Sequence, residues 1–367
     1  MNPLQQLETC GQAPWLDYLM RSLIEKGELK ALIDRDGLKG VTSNPSIFQK
    51  AIGESDEYTA AIRNFRAGGE RTTAEIYEHL AITDIQAAAD VLRPVYDRTN
   101  GRDGYVSLEC SPLLANDTDA TIAEAIHLWT AVNRPNLMVK VPGTAADIPA
   151  IRQLVSRGIN INITLLFSVV TYEAVVEAYL SGLETLKASG ADLSKVASVA
   201  SFFVSRIDTA VEKQLSTLSN KAAAEKLHGR VAIANAKIAY ARYKALFAGP
   251  RWEALAVAGA QTQRLLWAST SVKDATLKDT LYVEALIGRD TVNTLPPATM
   301  DAFRTHGVVK ADAIEDDVAD ARSTLTALQA QGISLDDITA QLVREGVQSF
   351  VEAFDTLFKS IAHLPRV

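Results

Sequence analysis

Two cysteines, Cys10 and Cys110, are all the chain contains, too few for a disulfide framework or a cysteine-based zinc site. An intracellular, reducing compartment is the expectation, and with it a cytoplasmic protein. No apolar run approaches the roughly 20 residues of a membrane span, and "MNPLQQLETC" lacks the basic start and apolar run of a signal peptide. An excess of base is also missing. The chain has 44 acidic against 37 basic residues, a net charge of -7, which gives no general pull toward nucleic acid or an anionic membrane and leaves room only for a local basic pocket. There is no G-x-G-x-x-G turn and no G-x-x-x-x-G-K-[ST] loop, so the two commonest nucleotide-phosphate cradles are absent.

Short apolar or β-branched runs are plentiful, and they alternate with helix-patterned segments. Strands are expected at 14–19, 38–43, 104–110, 136–141, 161–167, 196–203, 265–270 and 290–295. The last is chosen over "LYVEALIG" (281–288) because a parallel crossover needs a dozen residues or more; 277–288 is therefore expected to be helix. Elsewhere Thr72 and Glu75 have capping-box spacing and open a helix that should stop at Pro94. Asp147 and Pro149 open another that Gly158 closes, and Tyr172, Val175, Val176, Tyr179, Leu183 and Leu186 recur at helical spacing before Gly190.

Repeated βα units imply an α/β fold with a parallel sheet, and eight strands favour a closed (β/α)8 TIM barrel over an open sheet. The spans 45–103 and 204–264 and a mostly helical C-terminal region 299–367 would be additional helices around one barrel. No linker or repeat divides the chain, so residues 1–367 are expected to be a single domain. The apolar spacing in 338–361 leaves that segment free to pack on the barrel, cover its mouth or join a partner, with packing the default.

"NLMVKVPGT" (136–144) puts Lys140 in what reads as a buried parallel strand, where an unpaired charge is costly. Either the lysine snorkels to solvent at the rim or it is chemistry. Alternation along a barrel strand sets Met138 and Lys140 on one side and Val139 and Val141 on the other, so an inward Lys140 faces the polar groups of neighbouring strands. Those groups are numerous at the C-terminal strand ends, where barrel active sites lie: Asp17, Asn44, Glu109, Asn162 with Thr164, Ser201 and Ser269. Any one of them alone reads as a turn or helix cap. Together they supply what a nucleophilic lysine needs: a neutral amine attacks a carbonyl to form an imine, the imine step needs a proton shuttle, and breaking an adjacent carbon–carbon bond needs a base. Asp17 and Glu109 match those two tasks, while Asn44, Asn162 and Ser201 suit sugar hydroxyls. The five histidines, 79, 127, 228, 306 and 363, fall away from the strand ends, against a metal site or a histidine-based triad.

With these residues assembled, the sequence resembles the transaldolase family across essentially its whole length. "GVTSNPSIF" (40–48) matches the family's first signature, "MVKVPGT" (138–144) resembles the segment with the Schiff-base lysine, "NITLLFS" (162–168) is a third close match and "SFFVSRI" (201–207) a looser one. The resemblance implies a cofactor-free transferase of the non-oxidative pentose phosphate pathway. It would move a dihydroxyacetone unit from sedoheptulose 7-phosphate to glyceraldehyde 3-phosphate, giving erythrose 4-phosphate and fructose 6-phosphate. It further implies that Lys140 forms the imine, that Asp17 handles the C4 hydroxyl proton and that Glu109 and Thr164 hold a proton-shuttling water. Asn44, Asn162 and Ser201 would bind the retained three-carbon unit. The phosphate motif departs from the family: Phe202 and Ser205 replace a proline and a glycine beside the retained Arg206, and "ASTSVKD" offers Ser269, Ser271 and Lys273 where an arginine is usual. Arg206 is expected to fork the phosphate, with Ser269 nearby and Lys273 adding a second charge. The competing readings are a fructose 6-phosphate aldolase that releases free dihydroxyacetone, and a non-catalytic barrel that only binds sugar phosphates. No nucleic-acid or membrane partner is expected, and a monomer and a homodimer are both compatible with the sequence.

Overall fold

A computed structural model describes residues 1–363 of the chain; residues 364–367 of the expected helical region 299–367 lie outside the described residues. Each β-branched run becomes a strand paired with its sequence neighbours: β1 (Gln12–Asp17), β2 (Gly40–Thr42), β3 (Tyr105–Glu109), β4 (Leu137–Pro142), β5 (Ile161–Leu166), β6 (Ser198–Phe203), β7 (Arg264–Ala268) and β8 (Thr291–Leu295). All pairings are parallel, and β8 closes on β1 to complete an eight-stranded barrel. This is the (β/α)8 TIM barrel expected from the strand count. Helices cover its outside, which explains why the strands read as continuous apolar runs rather than alternating ones. Among the described strand residues, only Asp17 is not buried.

Two helix expectations need correction. The helix opened by the Thr72–Glu75 capping box does not stop at Pro94 but runs Thr73–Arg98. Pro94 is exposed while Leu92 and Val95 are buried, so the carbonyl that the proline leaves unpaired can be hydrated on the outer face while the inner face holds the helix together. The segment 277–288 is helical only at Leu281–Ala285; the rest of the crossover from β7 is loop, because Asp274 and Thr276 close a local turn in which the Asp274 carboxylate accepts from the Thr276 N–H at 2.8 Å.

At the N-terminal end of the barrel, polar groups satisfy one another. Gln263 donates to the Ser198 hydroxyl at 2.9 Å, and Arg264 pairs with Asp103 at 2.8 Å. The opposite end is different, and the last helix lies there. In Leu335–His363 the buried residues Leu342, Gly346, Phe350, Phe354, Leu357 and Ile361 recur every three or four positions, one apolar stripe. That stripe packs on helices Pro45–Gly53 and Thr73–Arg98, on helix Ser205–Leu215 and on the end of β5. The long C-terminal helix thus roofs part of the barrel mouth.

Candidate active site

The pairing register fixes which side chains meet. Asp17 lies beside Thr42, Glu109 beside Lys140 and Lys140 beside Asn162. Lys140 points inward, as alternation requires: its Nζ is 3.0 Å from Glu109 Oε2 and donates to the Ser43 carbonyl at 3.2 Å. Lys140 is buried, with its side chain 6% exposed, so it is no snorkelling rim lysine.

Around it runs a chain of neutral hydrogen bonds. Ser201 Oγ donates to Asn162 Oδ1 at 2.6 Å, Asn162 Nδ2 to Ser107 Oγ at 3.0 Å, and Ser43 Oγ to the Ser107 carbonyl at 2.7 Å. These bonds lock the amides and hydroxyls into one arrangement before any substrate arrives. Thr42 Oγ1 donates to Asp17 Oδ1 at 2.7 Å and also meets Thr294 Oγ1 at 2.7 Å. The hydroxyl of Thr164 is buried and has no partner among the described residues. Such a group calls for a water or a ligand atom.

Burial drives both acids. Desolvation pushes the Asp17 carboxyl above the usual carboxylate range, against the pull of Lys140, the Thr42 hydrogen bond and Arg206. Glu109 is raised for the same reason, with Lys140 opposing and the Asp17 charge adding to the rise. Two carboxyls shifted toward neutral pH around one lysine form the constellation that proton-transfer chemistry uses.

The remaining expected residues separate into two groups. Asn44 is half-buried and caps helix Pro45–Gly53, with Oδ1 accepting from the Ile47 N–H at 3.0 Å; the cap uses its oxygen and leaves its amide NH2 for a ligand. Arg206 sits in the first turn of helix Ser205–Leu215, half-buried, with its guanidinium 5.1 Å from the Phe203 ring centroid. It makes no hydrogen bond or ion pair with the described residues. Burial lowers its pKa, while the charges of Asp17, Glu109 and Glu345 hold it up. Ser269 adopts φ +56° and contacts Ser205 Oγ through its own hydroxyl at 2.9 Å. Lys273 stands apart: it is exposed on the loop after β7, and no contact ties it to Arg206. Thr42, Thr294 and the Ser43 carbonyl complete the site without having been singled out in the sequence, although Thr42 and Ser43 lie inside the "GVTSNPSIF" motif.

The roof is the mouth-covering role left open for segment 338–361, and its individual contact residues are the other part not singled out in the sequence. Phe350 holds its ring centroid 5.9 Å from Lys140 Nζ. One turn earlier, Gly346 lets the helix approach so closely that a Cβ there would lie 2.7 Å from Leu165 Cδ2 and 3.6 Å from Arg206 Nη1. Leu165 is available for that contact because β5 shifts register between Ile163 and Leu166 and Leu165 takes φ +60°, an uncommon backbone state for leucine. The site is consequently lopsided. Glu109, Lys140, Asn162, Thr164 and Ser201 are buried, whereas Asp17, Asn44, Arg206 and Ser269 remain partly open.

The family model described as Transaldolase/Fructose-6-phosphate aldolase matches residues 14–361. The chain belongs to that family. Its similarity to curated transaldolases spans nearly the whole length: one from Thermobifida fusca is 47% identical over 361 residues, covering 98% of each chain. A protein named Transaldolase 1 from Streptomyces coelicolor is 48% identical over 358 residues, covering 98% of this chain and 93% of its own. A transaldolase from Trichodesmium erythraeum is 45% identical, covering 98% of this chain and 97% of its own. The transaldolase/fructose-6-phosphate aldolase family is thus the setting in which the buried lysine must be read. No helix among the described residues is long and apolar enough to cross a membrane, and no group of three or more His, Cys, Asp or Glu there could hold a metal ion.

Proposed function

We infer that this chain is a transaldolase, a transferase that moves a dihydroxyacetone unit from sedoheptulose 7-phosphate to glyceraldehyde 3-phosphate, with residues 1–367 acting as one barrel domain. The observation that carries the reading is the buried Lys140–Glu109 pair at 3.0 Å, on adjacent strand ends with the Asp17 carboxyl near enough to feel the Lys140 charge.

After passing a proton to Glu109, the amine of Lys140 attacks C2 of the ketose, forming the C–N bond while the carbonyl electron pair moves to oxygen. Glu109, whose raised pKa favours holding a proton, supplies it through a water shared with Thr164, and the C2 oxygen leaves as water to give the imine. Asp17 then takes the C4 hydroxyl proton as the C3–C4 bond breaks; those electrons flow into the imine, and erythrose 4-phosphate departs. The enamine stays, held by Asn44, Asn162 and Ser201. Its C3 attacks the aldehyde carbon of glyceraldehyde 3-phosphate, Asp17 returns the proton to the new C4 oxygen, and hydrolysis frees Lys140. Arg206 has no counter-ion bonded to it among the described residues and suits a phosphate, with Ser269 beside it and Lys273 as the second charge.

The test is reduction with borohydride in the presence of fructose 6-phosphate, followed by mass spectrometry of the Lys140 peptide. An adduct on Lys140, with the three-carbon unit released only on addition of an aldehyde acceptor, is the expected result. Steady release of free dihydroxyacetone without acceptor would make the chain an aldolase instead. No adduct in an active preparation would sink the lysine mechanism.

A further inference from the structure

Glu109 faces more than the barrel interior. It also lines a cavity of about 250 Å3, open to solvent on its outer side and bounded by the end of β3, helices Thr73–Arg98 and Thr118–Val132, and the C-terminal helix through Phe354. The cavity has room for several waters, at about 30 Å3 each, and the polar partners that buried water requires. Ser111, Tyr77 and Glu124 contribute to its wall. The Tyr77 hydroxyl makes no hydrogen bond with the described residues, and burial plus the Glu109, Glu124 and Glu78 charges push its pKa up. Glu124 accepts from the Ser111 N–H at 2.9 Å, and burial raises its pKa. At the outer end, Glu78 pairs with His127 at 2.8 Å where both are exposed.

Imine formation by Lys140 releases one water for each donor bound, and imine hydrolysis consumes one for each product freed. Both events occur in the covered half of the site, under Phe350, while a bound sugar phosphate fills the open half. We propose that the cavity beside Glu109 is the water pocket of the imine step, with Tyr77 and Glu124 as positioning residues that keep it hydrated. The water expelled from C2 passes by the Glu109 carboxyl into this space, and a water from it returns to C2 at hydrolysis. The atoms balance as C2=O plus an amine going to C2=N plus water, and the reverse. The inference rests on the Schiff-base reading above.

Two variants test it. Ala81 is buried and lines the cavity, so Ala81→Leu takes up space in it while leaving every catalytic side chain in the sequence; Tyr77→Phe removes one hydroxyl and keeps the ring. With fructose 6-phosphate and timed borohydride quenching, the Lys140 adduct should form about tenfold more slowly in Ala81→Leu and about threefold more slowly in Tyr77→Phe, with KM unchanged. Exchange of the C2 oxygen from 18O-labelled water should slow in step. A purely structural role for these residues would lower Tm and leave both rates alone. If Ala81→Leu does not fold, Tyr77→Phe decides. Variants that match the parent in adduct formation and oxygen exchange overturn the water pocket alone; a parent that forms no adduct overturns the Schiff-base reading and this inference with it.

Discussion

Phe350 places its ring 5.9 Å from the ammonium nitrogen of Lys140, although the two residues come from the last helix and the fourth strand. The contact puts a cation near an aromatic ring and covers the lysine on the side of the barrel mouth. If the enamine survives because water and stray protons are kept from it, thinning this cover should favour release over transfer. Phe350→Ala is expected to raise free dihydroxyacetone formation from fructose 6-phosphate about tenfold relative to transfer, with Phe350→Leu close to the parent. Parallel assays of dihydroxyacetone and of transfer to glyceraldehyde 3-phosphate check this, and an unchanged ratio would remove the shielding role.

Gly346 and Leu165 make the seat of that helix. Alanine is the better helix former by about 1 kcal/mol, yet Gly346→Ala would drive a Cβ to 2.7 Å from Leu165 Cδ2. Because Leu165 is itself packed on all sides, 1% exposed, its side chain has little room to step aside. The substitution is expected to cost about 1–2 kcal/mol in denaturant unfolding, as overpacking does. Combining it with Leu165→Ala should give a coupling of about 1 kcal/mol or more in a double-mutant cycle. Strict additivity would show that the close approach carries no strain.

The barrel and its inward polar groups were legible in the sequence because they are local patterns. Strand runs, their spacing and the alternation around Lys140 depend on neighbours within a few residues, and those patterns suffice to put Asp17, Glu109 and Lys140 at inward strand ends. Phe350 and Gly346 left no such trace: in the sequence they are two positions of an apolar helical stripe, and only tertiary packing decides that the stripe faces a catalytic lysine rather than an ordinary core. Leu165 was hidden for a related reason, since a positive φ inside a β-branched run breaks the local rule. Pro94 misled because the proline rule ignores which face of the helix is solvated.

The raised pKa of Asp17 sets the acid side of the pH profile. As the C4-hydroxyl base, Asp17 must be ionised, and a carboxyl held above its ordinary value near about 3.9 protonates sooner as pH falls. Activity is therefore expected to decline on the acid side at a pH above the usual aspartate range. Asp17→Asn should lower kcat by about 10²–10⁴ while the Lys140 adduct still forms. An acid limb at or below the ordinary carboxylate pKa, or full activity in Asp17→Asn, would overturn the assignment.

Asp208 governs stability rather than chemistry. It accepts from the Ala232 N–H at 2.8 Å and from the Tyr282 hydroxyl at 2.8 Å, tying the helix that carries Arg206 to two others. Burial pushes its pKa up to about 6, against about 3.9 in the unfolded chain. The folded state thus holds a proton that the unfolded state has lost, so this group favours folding most below about pH 4 and the benefit disappears as pH rises through about 6. The shift corresponds to about 3 kcal/mol at most. Asp208→Asn should flatten the pH dependence of unfolding free energy between pH 4 and 6, measured by urea titration; a slope equal to the parent's would refute the shift.

Arg206 and Lys273 divide the question of phosphate binding. Arg206 is half-buried, its guanidinium makes no hydrogen bond or ion pair with the described residues and it lies against the Phe203 ring, so a fixed fork awaits an anion. Losing a charge-assisted hydrogen bond of about 1.5–3 kcal/mol should raise KM for fructose 6-phosphate about 10–100-fold in Arg206→Met. KM for unphosphorylated fructose should hardly move. Arg206→Lys keeps the charge and loses the fork, so an intermediate loss is expected. Lys273 is exposed on its loop, where a charge contributes about 1 kcal/mol or less and salt screens it. Lys273→Met is accordingly expected to raise KM for the phosphorylated donor no more than about fivefold, with the difference vanishing at high ionic strength. Equal effects of the two substitutions, or an Arg206→Met defect of the same size with unphosphorylated fructose, would move the phosphate site elsewhere.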